Sequence, residues 1–132
     1  AIDGSGSARV LVSGLNHPTD VLCIDGMLYV SEAGAGRVAR IEDGTVSTVM
    51  GGLGNPRGLA CANGRLHVLD RGRRTLLAQP LDGGGDAAAI AENLPIGAAC
   101  PLDFAGGLSV DHHGGLLIAA DGEGSVLRLY PV

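Results

Sequence analysis

The chain repeats itself. The segments Gly14-Leu15-Asn16-His17-Pro18-Thr19-Asp20-Val21 and Asp25-Gly26-Met27-Leu28-Tyr29-Val30-Ser31-Glu32 return 38 residues later as Gly52-Leu53-Gly54-Asn55-Pro56-Arg57-Gly58-Leu59 and Asn63-Gly64-Arg65-Leu66-His67-Val68-Leu69-Asp70. Pro18 falls on Pro56 and Cys23 on Cys61. A looser third copy puts Gly107-Leu108 in the place of Gly58-Leu59, and Leu116 to Asp121 in the place of Arg65 to Asp70. Repetition at such a period means stacked units, each leaving apolar surface that only its neighbours cover.

Inside each copy the apolar residues recur with period two, in short runs rich in Val, Ile and Leu. That is the pattern of strands. Asp25-Gly26, Asn63-Gly64 and Asp43-Gly44 fit two-residue hairpins whose central residues need positive φ. Ala87 to Ala91 has the propensity of a helical turn, but the repeat register sets it against Thr45 to Met50 and makes it a strand. Arg9-Val10-Leu11-Val12-Ser13 resembles Val46 to Met50 and reads as an outermost strand whose inner partners are absent upstream. The last copy, closing on Ser125-Val126-Leu127-Arg128-Leu129, lacks such a strand. The expectation is an all-β chain of one repeat unit with four-stranded antiparallel sheets at about 20–50, 58–91 and 107–130. Segment 9–13 supplies the twelfth strand.

The order Gly-Leu-x-x-Pro, then x-Gly-x-Leu-x-Val-x-acidic, then Arg37-Val38-Ala39-Arg40-Ile41, resembles the NHL-repeat family of β-propellers across about residues 9 to 130. The second copy ends in Leu77-Ala78-Gln79 instead of Arg-Ile, and the third lacks the proline and carries a longer loop from Pro95 to Gly106. The resemblance implies a binding or scaffold module whose ligand, a protein or a small molecule, sits on the loop face or in the axial channel. Related propellers include metal-dependent lactonases, other hydrolases and lyases, which makes an enzyme the alternative. The fold alone chooses neither.

Closed propellers have four to eight blades, so three are too few. A homodimer resolves this, with Arg9, Val10, Leu11 and Val12 of one copy pairing beside Ser125, Val126, Leu127 and Leu129 of the other. That strand exchange closes a six-bladed ring by a two-fold axis. The alternative is a piece cut from a longer propeller.

Nine Lys and Arg against fourteen Asp and Glu, with three aromatic residues in the whole chain, argue against nucleic acid as a partner. No run approaches eighteen apolar residues, so no membrane-spanning helix is expected. The cysteines Cys23, Cys61 and Cys100 lack C-x-x-C spacing and read as small hydrophobes.

In propellers of this family one face collects the loops that enter each first strand and those that join the second to the third. That carry-over makes His17, Asp20, Arg57, Arg71, Arg73 and Asp103 candidate ligand contacts, with Glu123 nearby. Glu32, Asp70 and Asp121 recur at the end of the second strand. As an axial ring they would take Ca²⁺, which needs six to eight oxygens; as turn caps they would bind backbone N–H groups. The cap is the reading that a repeat favours, and no cofactor is expected. His67 falls mid-strand, and the pair His112-His113 lies in a hairpin away from His17, so the histidines read as packed or solvated.

Overall fold

The computed structural model describes residues 8–96, 107–120 and 124–130. Eleven strands make three antiparallel sheets, and the described residues contain no helix. The first sheet has the order β1-β2-β3-β4: Pro18–Ile24, Met27–Glu32, Arg37–Glu42 and Thr45–Met50. The second repeats it as β5-β6-β7-β8: Pro56–Ala62, Arg65–Asp70, Thr75–Pro80 and Ala88–Ala91. The third has three strands, β9 (Leu108–Val110), β10 (Leu116–Ala120) and β11 (Ser125–Leu129), with β10 in the middle.

The turns follow from the sequence. Asp25-Gly26, Asp43-Gly44 and Asn63-Gly64 each hold two successive positive φ angles, 50° and 80°, 50° and 77°, 53° and 70°. Type I′ geometry of this kind matches the twist of the strands it joins. Ala88–Ala91 is a strand because β7 pairs with it, Leu77 opposite Ala89, and tertiary pairing outweighs the helix propensity of alanine.

The second sheet lies between the other two. Leu59, Leu66 and Val68 pack with Tyr29, Val38 and Met50 of the first sheet. The opposite face offers Ala60 and Ala62, which pack with Leu116 and Ile118 of the third. Leu94 and Ile96, beyond β8, join that second cluster. A strand covered on both faces has no reason to alternate apolar with polar, and β5 and β6 are buried almost throughout.

In the single chain Arg9 to Ser13 forms no strand. A strand exists by pairing, and in the single chain these residues pair with no sheet edge. Instead Arg9, Val10 and Leu11 share a cavity with Gly26, Leu28, Ile41, Asp43 and Gly44 of the first sheet. One expectation is corrected, and it concerns register. Val30 pairs with Val21, Val68 with Leu59 and Ile118 with Leu108. Two residues further along β2, β6 and β10 stand Glu32, Asp70 and Ala120, each opposite the first residue of the next strand. Ala120, not Asp121, therefore takes the place of the acid. The cause is a β9–β10 hairpin one residue longer than its counterparts, since Cys23 pairs with Leu28 and Cys61 with Leu66, but Val110 with Leu116. Asp111 stabilises the longer turn by accepting from His113 N and Gly115 N, both at 2.8 Å.

Leu66 is fully buried where the first two sheets meet. Truncating it to alanine is expected to cost about 2–5 kcal/mol of stability, read as a lowered denaturant midpoint with an unchanged slope.

Candidate functional site

The loop face is built around two carboxylates. Asp70, at the end of β6, has no exposed surface. Its Oδ2 accepts from Gly54 N at 2.8 Å, and its Oδ1 from Asn55 N at 2.8 Å, Gly72 N at 3.0 Å and Arg73 N at 3.4 Å. Glu32, the equivalent residue of β2, accepts from Asn16 N at 2.8 Å and pairs with the Arg37 guanidinium. Asp70 thus ties the loop leaving its second strand to the loop that leads into the first, and Glu32 ties the loop before β1 to the start of β3. Glycine permits the crossing: a Cβ on Gly72 would stand 2.9 Å from Asn55 N and 3.0 Å from the Gly54 carbonyl carbon. The oxygens a cation would use are engaged, those of Asp70 by backbone donors and those of Glu32 by Asn16 N and the Arg37 guanidinium. Among the described residues no three His, Cys, Asp or Glu side chains converge as a metal site. Asp121, the third member of the expected ring, lies outside the described residues, as do Asp103 and Glu123.

Asp20 is also committed to backbone. Its Oδ2 accepts from Leu59 N across the seam between the first and second sheets, and its Oδ1 from Val21 N, both at 2.9 Å. The Thr19 hydroxyl donates to Pro56 O at 2.9 Å and lies 2.8 Å from Ser31 Oγ, which in turn is 3.2 Å from Arg57 O. These three side chains join β1 and β2 to β5.

His17 and Arg57 come together. With Asn16, Asn55, Ala33, Gly34 and Gly54 they line an open depression of about 430 Å³ between the loops of the first two sheets. Arg57 is buried, and its Nε donates to Asn55 Oδ1 at 2.9 Å. Arg71 and Arg73 follow Asp70 in the adjoining loop, Arg71 N donating to Asn55 O at 3.0 Å. The depression offers amide and imidazole groups over a cationic floor, a surface suited to polar or anionic groups. Asn16 and Asn55 were absent from the sequence-derived candidates. The signal for them was the asparagine that stands within two residues before Pro18 and Pro56 in both copies.

The other histidines stand apart. His112 and His113 occupy the β9–β10 hairpin, exposed, with ring centroids 3.9 Å apart. That hairpin lies at the end of a first strand, whereas His17 precedes the start of one. His67 is buried on β6, on the face turned to the third sheet. Of the expected interface residues, Ser125 and Val126 are exposed, while Leu127 and Leu129 pack against the core of their own chain.

No protein-family model and no curated protein matches this chain.

Removing the Asp70 carboxylate takes away the buried acceptor of four backbone N–H groups, one of them on half-buried Asn55. Asp70→Ala is expected to destabilise the fold by about 3 kcal/mol or more, while Glu42→Ala, on an exposed ion pair, stays within about 0.5 kcal/mol. Denaturant melts of both variants check this. Burial, aided by the nearby Arg65 charge, pushes the His67 pKa below its ordinary 6.5. The unfolded chain then binds the proton that the folded chain rejects. The contribution of His67 is therefore intact above about pH 6.5 and is lost as the pH falls below it. Melts from about pH 7.5 to 5 are expected to show that slope, and His67→Phe to flatten it.

Proposed function

We propose that the chain is a binding module of NHL-propeller type, two copies closing a six-bladed ring whose loop face holds the ligand. The position of Arg9 to Leu11 carries this reading. By the 38-residue register Leu11 corresponds to Val49, and Gly26, Leu28, Ile41 and Asp43 to Gly64, Leu66, Gln79 and Leu81. Val49 packs against the second sheet around Leu77 and Leu81, with Gln79 Nε2 donating to its carbonyl at 3.1 Å. Arg9, Val10 and Leu11 border the equivalent surface of the first sheet. That surface is the one an outer strand of a neighbouring sheet would cover, which supports the reading. The third sheet of a second copy is what fits: three strands, a free outer edge on β11, and an outward face bearing Val126 at 72% exposure. Val21, 61% exposed on the first sheet, lies on the face that would receive it. A second correspondence agrees. Leu53 N donates to Gly36 O, and Leu94 N to Arg74 O. Leu15 and Gly124 are the next pair in that series, one on each side of the proposed junction.

Binding is favoured over metal-dependent hydrolysis by the state of the acids. Asp70 is engaged by backbone N–H groups, Glu32 by Asn16 N and the Arg37 guanidinium, and alanine occupies the third position. The depression at His17 and Arg57 is the proposed ligand contact, with Arg71 and Arg73 beside it.

Light scattering on a sizing column is expected to give a particle of about twice 13.2 kDa. Val126→Arg, which puts a charge on the proposed junction, is expected to yield folded monomers. A monodisperse, folded 13.2 kDa particle for the unaltered chain overturns the two-copy ring.

A further inference from the structure

A second cavity, of about 280 Å³, lies between the second and third sheets at the hairpin end of the strands, beside Asn63 and Gly114. It is separate from the loop-face depression, and far more enclosed. Arg65, His67, Ile90, Leu116, Leu129 and Tyr130 line it. Most of the wall is apolar, and Leu116 is 3% exposed. His67 is equally buried, and its Nδ1 is a buried polar atom without a hydrogen-bond partner. Buried polar groups in folded proteins nearly always find partners, so an orphan at a cavity wall marks a place for an external one. Arg65, half-buried on the same strand, puts a positive charge close to that ring.

We propose that this cavity binds a small monocarboxylate with an apolar body. The carboxylate supplies what the wall lacks: an acceptor for a proton on His67 Nδ1 and a counter-charge for Arg65. A charge-assisted hydrogen bond in so enclosed a site is stronger than its equivalent in water. The apolar body packs on Ile90, Leu116 and Leu129. The volume sits at the lower end of ligand pockets, which fits a single ring or a short chain. The wall offers one full positive charge, which suits a monoanion better than a phosphate dianion.

Benzoate is the probe. Titrated into the full chain and followed by NMR, it is expected to give saturable shifts of the His67 ring and of the Leu116 and Leu129 methyl groups. Benzyl alcohol, with the same body and no charge, is expected to bind at least about tenfold more weakly, the worth of one lost charge-assisted bond. Arg65→Gln, at the rim, is expected to weaken benzoate by a similar factor. His67→Phe removes the Nδ1 that the carboxylate would meet and is expected to weaken benzoate at least about tenfold, read from the Leu116 and Leu129 methyl groups, with the far-ultraviolet circular dichroism confirming its fold. The proposal is overturned if benzoate shifts none of these signals. It is equally overturned if benzyl alcohol binds as tightly, or if Arg65→Gln binds benzoate as the parent does. None of these outcomes depends on the mass of the particle, so this site and the two-copy ring stand or fall separately.

Discussion

A sheet that is apolar on both faces must be covered on both faces, and the rest of this molecule depends on that demand. The second sheet meets it with Leu59, Leu66 and Val68 on one side and Ala60 and Ala62 on the other. The stacking that results fixes where the loops gather and which strands are left at the ends. Hydrogen bonding holds each sheet together internally, but the apolar contact between sheets sets their order. Burial of that kind is the largest favourable term available to a chain of this size.

The loop carboxylates act on top of this stacking. Asp70 gathers backbone donors from two loops that cross, Glu32 accepts from Asn16 N in the loop before β1, and Asp20 accepts from Leu59 N across a seam. A buried carboxylate is tolerated because several N–H groups surround it, and those N–H groups are tolerated because the carboxylate is there. The arrangement is structural at each acid. It also shapes the surface above, because the crossing of the loops brings Asn16 and His17 alongside Asn55 and Arg57.

Much of this was legible in the residues themselves. The strands of the first two sheets and their tight turns follow from period-two runs bounded by Asp-Gly and Asn-Gly. The assignment of Ala88–Ala91 needed the repeat, since alanine alone points the other way. The register of the third sheet was not legible. Leu116-Leu117-Ile118-Ala119-Ala120 is apolar in both phases, so nothing local tells which residues face inward, and the extra residue in the preceding hairpin decides it. The state of Arg9 to Ser13 was not legible either, because strand or coil there is settled by a pairing partner outside the segment. The His67 cavity joins side chains from β6, β8, β10 and β11 with Tyr130. No spacing in the sequence announces such a meeting.

The longer hairpin after β9 has a consequence for assembly. Repeat chains misassemble when one unit is mistaken for another, within a chain or between chains. The first two units here are alike over their first two strands, sharing the turn between them, its glycine and the acid at the end of the second. The third carries one extra residue, an aspartate-capped turn and alanine in place of the acid. It is thereby distinguishable from the other two. Within the chain, a unit marked in this way cannot be mistaken for its neighbours, which is how a repeat can stack without losing count.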